Sequence, residues 1–265
     1  MYLLNFARSL ALLVNGPRRQ GSCSLISVEA NLEAGREAGS RGDIVIVVDV
    51  LRFSSTVVVG LACEARSIIP VRTVQEARSL YKRDRELVLA GEREGIKPRG
   101  FHLGNSPTEF KQANLSGKTI VMTTSNGTVA LESSKGAKSL LVGSFLNAAA
   151  VSTAASTLSR DARGISIILG SRRGEIFLED FLCSGLLVSN LANKNHPMND
   201  EAIAARLAWM SVRDDLEPVL LQAAHAVYLE SIGYGEDVKF CSRKDIYNVV
   251  PYLKADRLLN LAQPR

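Results

Sequence analysis

Apolar positions in this chain gather in short runs separated by polar or helix-periodic stretches. The clearest run is Ile44–Val48, IVIVV. It has strand length and no polar position to turn toward water, so it predicts a strand covered on both faces. Similar runs predict strands at Ser24–Val28, Ser67–Val71, Leu87–Ala90, Lys118–Met122, Ser139–Val142 and Ile165–Leu169. Helical patterns lie between them, at Thr56–Glu64, Val74–Arg83, Val129–Ser134, Ala148–Leu158 and Phe177–Leu191. Thr73 is placed to cap Val74–Arg83, with Glu76 reaching back in a capping box. Asn31–Gly42 is polar and glycine-punctuated, a loop or a frayed helix. The alternation of strand and helix predicts an α/β fold of three α/β/α layers around a mostly parallel sheet.

The C-terminal third reads differently. Asp200–Val212 and Leu220–Ser231 predict helices, and strand signal returns only at Val238–Phe240. No repeat, low-complexity tract or Pro/Gly/Ser linker interrupts the pattern. Residues 22–265 are therefore expected to form one unit, with two subdomains at most. Residues 1–21 read as an appendage. Their apolar run Leu10–Val14 is short, and Pro17-Arg18-Arg19 follows it where a secretory signal would carry small residues. No stretch approaches the ~20 apolar residues of a membrane span.

Composition narrows the function classes. A chain of 265 residues with 46% apolar content can bury a sizeable core. The formal charge is +5, but Lys and Arg are scattered and only 6% of residues are aromatic, which argues against nucleic-acid binding. A basic pocket for an acidic small molecule explains the excess at least as well. Cys23, Cys63, Cys183 and Cys241 form no C-x-x-C pair and read as reduced thiols of a cytoplasmic protein. His102, His196 and His225 have no zinc-site spacing.

Chemistry concentrates where apolar runs end. Asp49 follows IVIVV, Arg52 follows three residues later, and the hydroxyls of Ser54, Ser55 and Thr56 come next. A carboxylate, a guanidinium and hydroxyls at a strand tip suit a metal and a phosphate-like anion. Ligands of α/β folds bind beyond the carboxyl ends of the strands. Four more segments have the same character: Glu92-Arg93-Glu94, Gly104-Asn105-Ser106-Pro107, Thr123–Thr128 and Glu179-Asp180. In Thr123–Thr128 (TTSNGT), Gly127 and the following amides form either an anion nest or an ordinary capped helix start. Asp49, Glu92, Glu179 and Asp180 are hard oxygen donors that suit Mg²⁺. Glu179-Asp180 also fits a first-turn acid pair favoured by the helix dipole, and Glu92 fits a surface ion pair with Arg93 or Lys97. Asp49 is hardest to explain as structure, because an acid ending a buried run is costly unless paired or metal-bound. Arg52, Arg93, Arg172 and Arg173 are candidate anion forks, although Arg172-Arg173 also fits a solvated turn. There is no Walker loop, no G-x-S-x-G elbow and no D-x-D-x-T loop, since Leu51 stands where the second Asp would be.

In order along the chain, several segments resemble the 2-phosphosulfolactate phosphatase family. They are DVLRFSSTVV (Asp49–Val59), LAGEREG (Leu89–Gly95), GFHLGNSPTEF (Gly100–Phe110), TTSNGT, GSFLNAAAV (Gly143–Val151) and FLEDFLCSGLLV (Phe177–Val188). The Gly233–Val238 tail and Val250-Pro251 also fit. The resemblance implies a Mg²⁺-dependent phosphatase that converts (R)-2-phospho-3-sulfolactate to (R)-3-sulfolactate and phosphate, a step toward coenzyme M. It departs from the family at His102, commonly Asp, at Ser125, commonly Thr, and at Leu169-Gly170-Ser171, commonly a Cys-Ala-Gly-like turn.

The candidates are then Asp49, Arg52 and Glu92 for catalysis, and Asp49, Glu179 and Asp180 for metal. Ser55, Thr56, Asn105, Thr124, Asn126, Gly127 and Thr128 are candidates to hold a small anionic phosphoester. Asp49 is either a metal ligand or a nucleophile, so a phospho-aspartyl intermediate and attack by water both stay open. A different small organic phosphate as substrate, and a non-catalytic sensor of phosphorylated or sulfonated metabolites, are the rival functions. No membrane or nucleic-acid partner is expected. A homo-oligomer burying part of the apolar helices is compatible with the pattern.

Overall fold

Alternate residues of IVIVV face opposite sides of one sheet. Ile44, Ile46 and Val48 enter one apolar core, while Val45 and Val47 enter a second. This two-sided burial is why the run carries no polar position. The computed structural model describes residues 25–170, 175–192 and 196–261. The predicted appendage, Cys23 and the Arg172-Arg173 pair lie outside the described residues.

Among the described residues nine strands form one sheet: β1 (Leu25–Glu29), β2 (Ile44–Val48), β3 (Ser67–Pro70), β4 (Val88–Gly91), β5 (Thr119–Thr123), β6 (Ser139–Gly143), β7 (Gly164–Leu169), β8 (Pro251–Lys254) and β9 (Arg257–Asn260). Their order is β1-β7-β2-β6-β8-β9-β3-β5-β4. The first four are mutually parallel, as are the last three. The hairpin β8–β9 joins the two sets with antiparallel pairings, touching β6 at Leu141↔Tyr252 and β3 at Ile68↔Leu258. The two parallel sets consequently run in opposite senses.

Helices cover both faces. They are α1 (Leu32–Arg41), α2 (Phe53–Ala62), α3 (Val74–Arg83), α4 (Pro107–Gln112), α5 (Gly127–Ser133), α6 (Ala148–Leu158) and α7 (Leu178–Leu191). The helix-rich C-terminal part adds α8 (Asp200–Val212), α9 (Leu216–Leu220), α10 (Ala224–Ser231) and α11 (Gly235–Cys241). The fold is thus α/β with a mostly parallel sheet, as the alternation predicted.

Four local expectations need correction. Residues 31–42 are a capped helix. Asn31 Oδ1 accepts the Ala34 amide, and Gly42 ends α1 in the left-handed conformation. The apolar residues of Val238–Phe240 belong to α11, whose Val238 and Cys241 pack into the core at helical spacing. The expected helix Leu220–Ser231 is two, α9 and α10, with the chain redirected at Ala223 in extended conformation. The hairpin β8–β9 was not expected, because its strands are four residues each and half-exposed. At α3, Thr73 Oγ1 accepts the Glu76 amide as predicted. Glu76 reaches back to the amide of Arg72, one residue before the cap.

Candidate active site

The turn after β2 is closed by its own hydroxyls. Ser54 Oγ accepts the Asp49 amide at 2.9 Å, and Ser55 Oγ donates to the Val50 carbonyl at 2.9 Å. Asp180, in the first turn of α7, accepts the Val50 amide at 2.7 Å. The Leu51–Arg52 peptide is cis. This framework leaves the Asp49 carboxylate on the wall of a small cavity of about 150 Å³, partly open to solvent. Burial, opposed by His225 and the Phe53 amide and reinforced by Glu92 and Glu179, raises the Asp49 carboxyl to about 7. Asp180 is raised well above the usual carboxylate range, by burial first and then by Glu179 and Asp49.

Further lining comes from the other half of the sheet. Glu92 follows β4, and both its oxygens are held by the neighbouring loops. Oε1 accepts the Ser125 amide at 2.6 Å, and Oε2 accepts the Gly95 amide at 2.8 Å and the Ser125 hydroxyl at 3.3 Å. Glu92 thus ties the loop after β4 to the turn after β5. Asn105 and Asn126 line the same cavity. Their Oδ1 atoms are buried without a hydrogen-bond partner, as is Glu179 Oε2. Unmatched buried polar atoms are rare in folded proteins, and those of Asn105 and Asn126 belong to residues that line the cavity, where a ligand would meet them.

α10 and α11 complete the site. His225 Nδ1 lies 2.8 Å from Glu179 Oε1, and its ring reaches the cavity. Burial disfavours the imidazolium, but the hydrogen bond and charge of Glu179, with Asp49, outweigh it, so the His225 pKa is raised. Arg52 is 2% exposed. It donates to Asp237 Oδ2 at 2.8 Å and to the Gly95 carbonyl at 2.7 Å, and stacks 3.8 Å over the Tyr234 ring.

Asp49, Arg52, Glu92, Asn105 and Asn126 therefore meet at one cavity as the strand-end pattern suggested. Glu179 and Asp180 stand off its surface, within electrostatic reach of Asp49. Ser55, Thr56, Thr124, Gly127 and Thr128 do not line it. Thr124 and Thr128 bond each other's backbone, closing the turn into α5. Gly127 is small because a Cβ there would stand 2.3 Å from the Phe53 ring. Thr56 is fully buried in α2. The expected Ser or Asn cap is not made, since the N-cap Asn126 has no side-chain cap bond and Thr124 Oγ1 accepts the Thr128 amide instead; the cavity takes only Ser125 and Asn126 from TTSNGT. Arg93 bonds Thr123 Oγ1 and the carbonyls of Arg72 and Glu92, and it too lies off the cavity.

His102 also lies elsewhere. Its Nδ1 accepts the Leu89 amide at 2.8 Å on the edge strand β4, a bond an Asp would also make. Three residues escaped the sequence reading as site residues. His225 sits in a segment that reads only as a core helix, with nothing local to mark it. Tyr234 and Asp237 lie in the Gly233–Val238 tail, where order along the chain was the only signal. The free thiols fit the reduced reading. Burial raises Cys183 well above the ordinary thiol value and Cys241 to about 12, so both are unreactive.

Carboxylates, one clamped guanidinium and unmatched amides, gathered at strand ends of an α/β sheet, define an enzyme for a small polar molecule. Sequence comparison narrows that class. The profile of a family described as 2-phosphosulpholactate phosphatase matches residues 32–256. A protein of Thermotoga petrophila named "Probable 2-phosphosulfolactate phosphatase" is 39% identical over 208 residues, which is 78% of this chain and 88% of that protein. Proteins of the same name from Pseudothermotoga lettingae and Clostridium novyi are 37% and 33% identical, covering 85% and 82% of this chain and 96% and 91% of their own. The chain belongs to the 2-phosphosulfolactate phosphatase family. Among the described residues no helix is long and apolar enough to cross a membrane.

Proposed function

We propose that the protein hydrolyses (R)-2-phospho-3-sulfolactate to (R)-3-sulfolactate and inorganic phosphate, with Mg²⁺ held by Asp49 and Glu179. One observation carries the reading. Glu179 Oε2 is buried and unpartnered, on a carboxylate that perturbs Asp49, and Asp49 itself lines the cavity. A buried carboxylate oxygen with free lone pairs beside a second carboxylate is a donor set that wants a cation. Among the described residues no group of three or more His, Cys, Asp or Glu forms an all-protein metal cage. Mg²⁺ does not need one, since it commonly takes one or two carboxylates and completes its shell with water and substrate phosphate.

Charge supports the same reading. Asp49 and Glu92 line the cavity, and the described lining guanidinium, Arg52, is offset by Asp237. A substrate bearing phosphate, carboxylate and sulfonate meets net repulsion there unless a cation stands between. When bound, the ion supplies Lewis-acid polarisation of the phosphoryl oxygens.

The chain's own groups do the rest. Arg52 offers its remaining N–H groups to a non-bridging phosphoryl oxygen of the bound ester. Asn105 and Asn126 present their amides to the organic part. Water attacks phosphorus as the ester P–O bond breaks, and His225, held at Nδ1 by Glu179 and protonated, gives its Nε2 proton to the leaving ester oxygen; the proton lost by the attacking water restores it. Asp180 and Glu92 hold the two loops at fixed separation through backbone amides.

The test is phosphate release from phosphosulfolactate, phospholactate and phosphoglycolate, with Mg²⁺ and with EDTA. Phosphosulfolactate should be the best substrate and EDTA should abolish turnover. Equal turnover in EDTA would remove the metal from the mechanism. Binding without turnover on every substrate would leave a sensor.

A further inference from the structure

The Arg52 side chain is unusually constrained for an anion-binding group. We infer that Tyr234 and Asp237 are positioning residues, which fix the guanidinium in one orientation so that its free edge reads a substrate oxyanion. The inference rests on the reading of this cavity as a phosphoester site.

A free arginine side chain samples many rotamers, and ordering it on binding weakens the bond it makes. Here the ordering precedes the ligand. The Tyr234 ring fixes the plane of the guanidinium from one face, at 3.8 Å. Asp237 Oδ2 and the Gly95 carbonyl fix its rotation within that plane. A guanidinium has five N–H donors in a rigid fork, so two anchoring bonds leave others for the cavity it lines.

Asp237 is itself held from a different part of the chain. Its Oδ1 accepts from Ser106 Oγ at 2.8 Å, from Thr108 Oγ1 at 2.5 Å and from the Thr108 amide at 3.3 Å. The acid is 1% exposed and its oxygens are occupied, so it is not available to bind metal or substrate. Its charge also offsets that of Arg52. The pair therefore supplies geometry more than net attraction, and the ring and the acid set that geometry. Both belong to the Tyr234–Asp237 segment at the start of α11, which places the C-terminal helices in control of a residue from the β2 turn.

The experiment compares Tyr234→Leu, Tyr234→Phe and Asp237→Asn with the wild type. It measures thermal melting, steady-state phosphate release from phosphosulfolactate, and calorimetric binding of inorganic phosphate with Mg²⁺ present. Tyr234→Leu should raise KM and the phosphate dissociation constant about tenfold, in keeping with loss of a desolvated cation–π contact, with kcat changed less than threefold. Tyr234→Phe keeps the ring and should restore both. Asp237→Asn, if it folds, should weaken phosphate binding likewise. If it does not fold, the two Tyr234 variants decide alone. A Tyr234→Leu protein with lower melting temperature but unchanged KM and phosphate affinity would reduce the segment to a structural tie and overturn the inference. Failure of the wild type to bind phosphate would overturn it too. Phosphate binding without turnover of any phosphoester would instead defeat the proposed reaction, while the variants still report on the clamp.

Discussion

Replacing Asp49 with Asn should inactivate the protein and stabilise it. Burial raises the Asp49 carboxyl from 3.8 to about 7. A raised carboxyl is one the folded state prefers to keep protonated. Between pH 4 and 7 the folded protein binds more protons than the unfolded chain, so its stability falls as pH rises through that window. Above pH 7 the full cost of ionising Asp49 is present. At 1.36 kcal/mol per pKa unit, a rise of about three units amounts to about 4 kcal/mol.

Asparagine has the same shape and no charge. In EDTA at pH 8, Asp49→Asn should melt higher than wild type, by up to about 8–16 °C at ~2–4 °C per kcal/mol for a chain of this size. At pH 5 the gap should shrink, because wild-type Asp49 is then protonated. Mg²⁺ should raise the wild-type melting temperature at pH 8, but not that of the variant, through linkage of binding to folding. Phosphate release should fall at least 100-fold. Scanning calorimetry across pH 5–8, with and without Mg²⁺, reads the whole pattern. A variant that melts lower than wild type at pH 8, or a gap that does not vary with pH, would refute the reasoning.

Two further substitutions separate structural from functional roles. Gly127→Ala drives a Cβ into the Phe53 ring at 2.3 Å and should destabilise by about 1–3 kcal/mol, with Phe53→Leu in the same chain recovering part of the melting temperature. Unchanged melting of Gly127→Ala would mean the α5 start has slack the geometry denies. His102→Asp keeps an acceptor for the Leu89 amide away from the cavity, so phosphate release should stay within about twofold, and a larger change in kcat/KM would give His102 a part in the site.

Much of the fold was legible because burial leaves a direct trace in local sequence. IVIVV is consistent with a strand packed on both faces, and β2 has those bounds. The helices Val74–Arg83, Ala148–Leu158 and Asp200–Val212 follow their periodicity residue for residue. What went unread is what local pattern does not encode. Val238–Phe240 alternates apolar and charged residues like a strand yet is helical, because Val238 and Cys241 find the core at helical spacing. The short hairpin β8–β9 owes its place to β6 and β3 on either side, not to its own half-exposed residues.

The same division holds at the site. Sequence alone determined that acids and an arginine stand at strand ends, since an ionisable group closing a buried run needs a partner there. It named Asp49, Arg52, Glu92, Asn105 and Asn126, all of which line the cavity. Tertiary structure alone decided the partners. The hairpin reverses the sense of the sheet, yet Asp49 after β2 and Glu92 after β4 line one cavity, a juxtaposition that neither local pattern encodes. It brought His225 to Glu179 across 46 residues and Asp237 to Arg52 across 185. Contacts at such separations leave no periodicity in either segment. Local sequence fixes which groups are costly to bury, and only the folded chain settles which of them offset one another.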